Sequence, residues 1–134
     1  MLDILCNLLG AAFLLPLGAA LGSFVEVLFD RIPRGESIVW PPSHCRTCAR
    51  RLTADELIPV ISYLAQRGRC RGCDTPIGAG VPVREALSGL SLGLPWAIVG
   101  CSRPEWALGI GGGLFAAVWI GWSLLRRRPS PGGP

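Results

Sequence analysis

The chain has 134 residues, of which half are apolar and 16% are charged, with a mean hydropathy of +0.45. This composition argues against an ordinary soluble domain and is typical of a membrane protein that carries one short polar segment. All thirteen basic residues are arginines, and nine of them lie between Arg31 and Arg84, beside apolar segments. The net charge of +4 could suggest nucleic-acid binding, but this distribution of arginines instead predicts how the chain is oriented in a membrane.

The first apolar segment runs from about Ile4 to Phe29 and is interrupted by Asn7 and Glu26. At about 1.5 Å per residue it is long enough to cross a hydrocarbon core of about 30 Å. No basic segment precedes it, which argues against a cleaved secretory signal. We therefore predict a first transmembrane helix over residues 1–29 with its N-terminus outside, and we expect Glu26 to form a local ion pair with Arg31.

The polar segment over residues 30–85 contains two C-x-x-C pairs, separated by 21 residues. They are Cys45 with Cys48 and Cys70 with Cys73. Each pair places two thiolates on a tight turn, and four thiolates complete the shell of a structural Zn²⁺ ion. Two disulfides or a redox-active pair are the alternatives, but the predicted cytoplasmic position and the absence of a βαβ pattern disfavour both.

A four-thiolate shell leaves no open position for water or substrate, so the predicted zinc is structural. We expect His44, which precedes the first cysteine, to face solvent or to support the ligands rather than to replace one. Upstream of the cysteines, the sequence predicts a short strand at Ser37–Trp40, closed by two prolines.

Between the cysteine pairs, Thr53-Ala54-Asp55-Glu56 has the form of a capping box, which predicts the start of a helix. Glu56 is accordingly expected to cap that helix. For Glu85, near the return to the membrane, we expect an ion pair with a nearby arginine.

Two further apolar segments follow, at about 86–101, interrupted by Pro95, and at about 106–125. We assign residues 86–125 to a second and a third transmembrane helix and residues 126–134 to a flexible cytoplasmic tail. The predicted fold is thus a membrane α-helical protein with three transmembrane helices and a small zinc-ribbon-like cytoplasmic loop between the first and second. Cys6 and Cys101 both fall at the predicted outer face, where a disulfide or two small apolar side chains are the alternatives.

Each predicted span carries two glycines four residues apart, a spacing that lets helices pack closely on one another or on a partner. The three pairs are Gly18/Gly22, Gly89/Gly93 and Gly109/Gly113.

Several motifs resemble the N-terminal region of the type 4 prepilin peptidases, and they are collinear between Gly22 and Glu85. They are Gly22-Ser23-Phe24-Val25, Arg31-Ile32-Pro33, Pro41-Pro42-Ser43-His44-Cys45, Glu56 to Leu64 and Arg67-Gly68-Arg69-Cys70. The resemblance implies an inner-membrane protein of type IV pilus or type II secretion assembly. In that family one enzyme cleaves the prepilin leader and methylates the new N-terminus.

The peptidase of that family uses two membrane-embedded aspartates after this region, whereas no aspartate follows Asp74 here. We therefore expect another chain, a separate prepilin peptidase, to supply the peptidase site. The resemblance leaves N-methylation with S-adenosylmethionine open, with Glu56 and Glu85 as candidate catalytic acids, and it implies a prepilin or pilin-like substrate.

Two other functional classes remain. One is a non-catalytic zinc-stabilised membrane scaffold or degenerate remnant that binds a partner through the loop. The other is a membrane-tethered zinc module that binds nucleic acid through Arg67, Arg69 and Arg71. The latter is disfavoured because the arginines already have a topological explanation and a single tyrosine offers little base stacking.

Overall fold

The computed structural model describes residues 1–126, which form four α-helices and two short 3₁₀ turns. The helices are α1 (Leu2–Arg31), α2 (Ile61–Ala65), α3 (Gly80–Val99) and α4 (Pro104–Arg126), and the 3₁₀ turns are Ile32–Arg34 and Ala54–Leu57. The tail predicted for 126–134 lies outside the described residues from 127 onward.

Two of the helical segments are long and apolar enough to cross a membrane. They are Leu2–Arg34, with a mean hydropathy of 2.1, and Pro104–Arg126, with 1.7. Only 17% and 11% of their most apolar windows are buried inside the protein, so most of this apolar surface faces outward. Large exposed apolar patches are rare on soluble monomers and are typical of surfaces that meet a membrane or a partner.

α3 is not among these candidate spans, so the predicted second crossing remains a prediction. This helix begins at Gly80 rather than at Ala86, and it continues through Pro95 to Val99. Pro82 lies in its first turn, where the missing N–H of proline has no helical partner in any case. The turn-rich sequence before Ala86 is therefore compatible with the helix.

α3 packs against α1 on one side and α4 on the other. The packing against α1 is close at the two predicted glycine pairs. A Cβ atom built on Gly18 would lie 2.6 Å from the Ser88 carbonyl oxygen, and one on Gly89 would lie 2.7 Å from the Leu15 carbonyl oxygen. Both Gly18/Gly22 and Gly89/Gly93 thus allow backbone-to-backbone contact, as predicted.

The third glycine pair makes no such contact within the described residues. A Cβ atom on Gly109 or Gly113 would meet nothing within 4 Å, whereas one on Gly111 would lie 3.1 Å from the Ser91 carbonyl oxygen. α4 therefore turns Gly111 toward α3. The predicted pair at Gly109 and Gly113 does not join α4 to the other helices of residues 1–126.

The strand predicted at Ser37–Trp40 is wrong. Residues 38–40 form bends, and the β pairing in the described part of the chain is limited to two isolated bridges, His44–Arg51 and Arg69–Pro76. The Ser37 hydroxyl oxygen accepts the backbone N–H groups of Val39 (3.3 Å) and Trp40 (3.2 Å). A serine that binds the backbone in this way offers it a turn in place of a strand ladder.

Candidate metal centre and adjacent cavity

The first C-x-x-C pair sits in a tight turn closed by backbone hydrogen bonds. The Cys45 N–H donates to the Arg50 carbonyl (2.9 Å), and the Ala49 N–H donates to the Cys45 carbonyl (2.9 Å). Ala49 has a φ of 57°, the left-handed conformation that allows the chain to reverse after the second cysteine. The turn brings Cys45 and Cys48 to the same side.

The second pair repeats this geometry. The Cys70 N–H donates to the Thr75 carbonyl (3.0 Å), and the Asp74 N–H donates to the Cys70 carbonyl (2.9 Å). Asp74 has a φ of 58°, so it takes the place that Ala49 has in the first turn. Each turn is flanked by one of the two isolated β-bridges. The loop is therefore built from two similar cysteine turns, which we call knuckles.

The two knuckles bring the four predicted ligands together. The sulfur atoms of all four cysteines lie within 4.8 Å of one another, and the Cys45 and Cys73 sulfurs are 3.8 Å apart. A tetrahedron with Zn–S bonds of about 2.3 Å has edges of about 3.8 Å. The cluster therefore has the size and the ligand set that fit a four-thiolate zinc site, in which zinc would hold the two knuckles together.

Backbone N–H groups favour ionisation of the first cysteine in each knuckle. The N–H groups of Cys48 and Thr47 lower the pKa of Cys45, and those of Gly72 and Cys73 lower the pKa of Cys70 to about 6. At Cys48 the backbone N–H of Arg50 acts in the same direction, but burial and the adjacent thiols outweigh it and raise the pKa to about 11. The folded loop thus prepares part of the thiolate set before a metal binds.

Glu56 caps the 3₁₀ turn between the knuckles, as the capping-box motif predicted. Its carboxylate accepts the Thr53 N–H (3.0 Å), and it also accepts Arg50 through two nitrogens, at 2.6 and 3.0 Å. Its side chain is fully buried. The pKa of Glu56 falls to about 2, chiefly because of the hydrogen bonds from Arg50 and the Thr53 backbone. Glu56 is thus an ionised anchor of the loop.

The predicted ion pair of Glu85 with an arginine is wrong, because this buried carboxylate accepts the backbone N–H of Val60 at 2.9 Å. Val60 has a φ of 62° and a ψ of −49°, and the Ile61 N–H lies 2.6 Å from the Pro59 carbonyl oxygen. This is the γ-turn with positive φ, which is rare and strained, above all for a β-branched residue. Glu85 therefore ties α3 to a strained turn of the loop.

Glu26 also differs from the prediction. Its carboxylate accepts two hydrogen bonds from Arg84, at 2.7 and 2.8 Å, and one from Arg126 at 3.2 Å, rather than pairing with Arg31. The Arg84 guanidinium also lies 3.8 Å from the ring centroid of Trp122. Arg31 instead donates to backbone carbonyls of the loop. A charge at the end of α1 is thereby neutralised by residues of α3 and α4, a partnership that spacing along one helix cannot reveal.

A cavity of about 550 Å³ lies between the knuckles and the adjacent ends of α1, α3 and α4. Two carboxylates and three guanidinium groups line it, together with an aromatic ring and apolar side chains. The charged and aromatic members are Glu26, Asp30, Arg46, Arg84, Arg126 and Trp122. Glu56 and Glu85, the two acids proposed as catalytic candidates, are not in its lining. His44 is in the lining, and its Nδ1 lies 3.0 Å from the Pro42 carbonyl oxygen.

The opposite ends of α1 and α3 are joined by a disulfide between Cys6 and Cys101, whose Cα atoms are 6.1 Å apart. Beside it, the Asn7 side-chain oxygen accepts the Cys101 N–H at 2.8 Å. Of the two alternatives for these cysteines, the structure therefore has the bridge.

These features define a mostly helical protein with two apolar helices of membrane-spanning length and a cluster of four cysteines that could hold a metal ion. The model of the Bacterial Peptidase A24 N-terminal domain matches residues 17–98, which is more than half of the chain. The chain therefore belongs to this family, and the resemblance inferred from its motifs is confirmed.

The chain is similar to proteins named prepilin leader peptidase/N-methyltransferase. It is 48% identical over 80 residues to that of Myxococcus xanthus (strain DK1622), covering 60% of this chain and 24% of the relative. It is 37% identical over 103 residues to the protein of Burkholderia pseudomallei (strain K96243), covering 58% of this chain and 33% of the relative. It is 42% identical over 71 residues to that of Bacillus subtilis (strain 168), covering 53% of this chain and 29% of the relative. The chain thus spans about a quarter to a third of these relatives, and no solved structure matches it.

Proposed function

We propose that this chain takes part in prepilin processing as the N-terminal-domain component, with the peptidase active site supplied by another polypeptide chain. The observation that carries the proposal is the family match together with the assembly of all four cysteines into one metal-sized cluster. The system served would be type IV pilus or type II secretion assembly. The substrate would be a prepilin or a pilin-like protein.

The proposed location is the bacterial inner membrane, with the N-terminus outside and the metal loop in the cytoplasm. Two features of the protein support this orientation. The arginines concentrate at the loop end, as the positive-inside rule requires, and the disulfide sits at the other end, where oxidising conditions allow it to persist. α3 would then be the second of three crossings, covered on both sides by α1 and α4.

Within this function, we propose the cavity beside the metal loop as the place where the substrate chain is received. Its volume of about 550 Å³ is within the range of about 300–1,000 Å³ that is typical of ligand sites. The lining combines apolar walls with charges of both signs, which suits a polypeptide segment that is partly apolar and partly charged. Because the cavity is at the loop end of the helices, it would open at the membrane surface.

A second candidate function is N-methylation of the cleaved substrate with S-adenosylmethionine. The observation behind it is that Glu26 and Asp30 bring two carboxylates to one chamber. Both are held by arginines, Glu26 by Arg84 and Arg126 and Asp30 by Arg34 and Arg46, so a cationic amine or sulfonium group would bind by exchange with a guanidinium. In this scheme the acids that face the ligand are Glu26 and Asp30. Glu56 and Glu85 would support the loop.

Co-purification from native membranes tests the main proposal. The tagged chain should retain a prepilin peptidase or a pilin-like protein when it is extracted in mild detergent with its metal bound. A variant with Cys70→Ser should lose that partner, because the knuckles separate without the fourth ligand. A metal-loaded, intact chain that retains neither protein would contradict the proposal.

Methyl transfer tests the second candidate. The purified chain, with and without an added prepilin peptidase, would be given labelled S-adenosylmethionine and a cleaved pilin peptide. Transfer should fall in an Asp30→Asn variant and persist in Glu36→Gln, which alters an exposed acid outside the cavity. If wild type, Asp30→Asn and Glu36→Gln all fail to transfer methyl groups with or without the added peptidase, the chain is better described as a non-catalytic scaffold.

A further inference from the structure

Arg50 occupies an unusual position between the two knuckles. Two of its guanidinium nitrogens bind Glu56, at 2.6 and 3.0 Å, which fixes the plane of the group. The third nitrogen, Nε, is buried and has no hydrogen-bond partner among residues 1–126. A buried, unpaired N–H of a charged group is costly and calls for an explanation, such as a ligand that the protein holds in its working state.

The surroundings of Nε indicate where that partner lies. A Cβ atom built on Gly72, in the second knuckle, would be 2.9 Å from Arg50 Nε and 3.5 Å from the Cys48 sulfur. The guanidinium and the sulfur cluster therefore meet at Gly72, where any side chain would collide with Arg50.

Charge gives the contact a reason. A Zn²⁺ ion with four thiolates carries a net charge of −2, and thiolate ligands are commonly held by N–H donors around the site. Glu56 accepts Arg50 from the first knuckle, and its carboxylate lies 3.9 Å from Arg71 Nε in the second. The carboxylate thus binds an arginine of the first knuckle and lies near one of the second, beside the four cysteines.

We infer that Arg50 is a positioning residue of the metal centre: its Nε–H donates to a ligand thiolate when the cysteines hold a metal, while Glu56 fixes its guanidinium plane. Gly72 is the residue that leaves room for this contact. The inference rests on the metal site that the four cysteines form, and it adds to that site a charged donor outside the ligand set.

The test uses the full chain in detergent, loaded with Zn²⁺ or with Co²⁺ as a spectroscopic probe. Arg50→Lys keeps the positive charge but removes the forked donor, and Gly72→Ala displaces the guanidinium while leaving it in the chain. The matched control is Arg51→Ala, which removes an exposed arginine from the next position. Two quantities are measured: zinc affinity by competition with a chelator, and the thiolate-to-cobalt charge-transfer bands.

For Arg50→Lys and Gly72→Ala we expect zinc affinity to fall about 10- to 100-fold, the usual effect of losing a residue that supports a metal ligand. We expect the cobalt bands to shift in both variants and to stay at the wild-type position in Arg51→Ala. Wild-type affinity and bands in both variants would overturn the inference. So would weakened affinity with unshifted bands, because that result places the effect in folding of the loop rather than at the thiolates. A wild-type chain that binds neither metal would instead remove the metal site itself.

Discussion

The two ends of the helices use cysteine in opposite ways. At one end Cys6 and Cys101 form a covalent bridge between α1 and the short link that follows α3. At the other end four cysteines remain free thiols gathered within 4.8 Å. Cys6 and Asp30, which lines the cavity beside the cluster, are 24 residues apart on α1, so at about 1.5 Å per residue the two chemistries are separated by about 36 Å along this helix. The same helices are thus secured by a disulfide at one end and by a metal-sized cluster at the other.

The two kinds of cross-link match the lengths of the chain segments that they stabilise. At the disulfide end, the link from α3 to α4 is short, and one bond beside the Asn7 contact suffices. At the loop end, nearly fifty residues separate α1 from α3, and they contain one short α-helix and two 3₁₀ turns. A segment with so little regular structure cannot bury enough apolar surface to hold itself, so it depends on cross-links. A tetrahedral metal supplies several such links at one point.

The largest expected effect comes from removing one ligand. Cys70→Ser should abolish stoichiometric zinc binding, because Cys70 is the buried member of the cluster and three thiolates leave the shell incomplete. Metal content of the purified protein measures this directly. The Cys6–Cys101 bridge, followed by mass spectrometry without reductant, should remain formed. The paired variant Cys6→Ser with Cys101→Ser is the control and should keep its zinc; loss of metal there would show that the two ends are coupled.

The next effect concerns the charges where the loop meets the helices. The side chains of Arg84 and Glu26 are only 10% and 16% exposed, so Arg84→Ala would leave a largely buried carboxylate with one weaker partner, Arg126. Removing one member of a buried ion pair typically costs about 3–5 kcal/mol of stability. Thermal unfolding in detergent should show the loss. The control is Arg103→Ala, which removes an arginine at the disulfide end and should change stability by less than about 0.5 kcal/mol. Equal losses of stability in the two variants would contradict a stabilising role for the Arg84–Glu26 ion pair.

Breaking the bridge at the disulfide end should cost less. For Cys6→Ser with Cys101→Ser we expect a loss of about 2–4 kcal/mol, the typical contribution of a disulfide. The helices should stay together, because the close packing of Gly18 against Gly89 does not depend on the bridge. Unfolding with and without reductant measures the same quantity in the unmodified chain. A chain that falls apart on reduction would show that the bridge, rather than the helix packing, holds α1 to α3.

The sequence predicted the parts of this architecture that depend on local pattern. Cysteine spacing indicated the four-sulfur cluster, the capping box indicated the role of Glu56, and glycine spacing indicated where α1 and α3 meet. The sequence did not predict contacts between residues that are far apart along the chain. Glu26 was assigned to Arg31, five residues away, and is instead held by Arg84, 58 residues away, because three helix ends converge there. Glu85 was assigned to an arginine, but its partner is a backbone N–H that only the strained turn at Val60 exposes.

The cavity could not be predicted from the sequence for the same reason. Its lining comes from the ends of three helices and from both knuckles, which no single motif brings together. The repeated C-x-x-C spacing did indicate that the two knuckles would have matching geometry. The left-handed residues that complete it, Ala49 and Asp74, carry no shared residue type and were not singled out.

The smallest effect concerns pH at the loop end. The pKa of Glu56 is about 2, below its ordinary value of 4.5, because Arg50 and the Thr53 backbone stabilise the carboxylate. A carboxylate whose pKa is lower in the folded state contributes stability above its unfolded pKa and loses that contribution as the pH falls toward the folded value. Glu56→Gln should therefore destabilise the chain near pH 6, and the difference from wild type should shrink between about pH 4.5 and pH 2.

Unfolding of the metal-free, reduced chain at a series of pH values isolates this effect from proton competition for zinc. The matched control is Asp55→Asn, whose carboxylate also binds an arginine of the loop but is more than half exposed, so its loss should change stability only slightly at any pH. A Glu56→Gln deficit that stays constant from pH 6 to pH 3 would show that the carboxylate acts through packing and capping alone. A deficit that fades with acid would show that a buried, ionised carboxylate stabilises the four-cysteine end of the molecule.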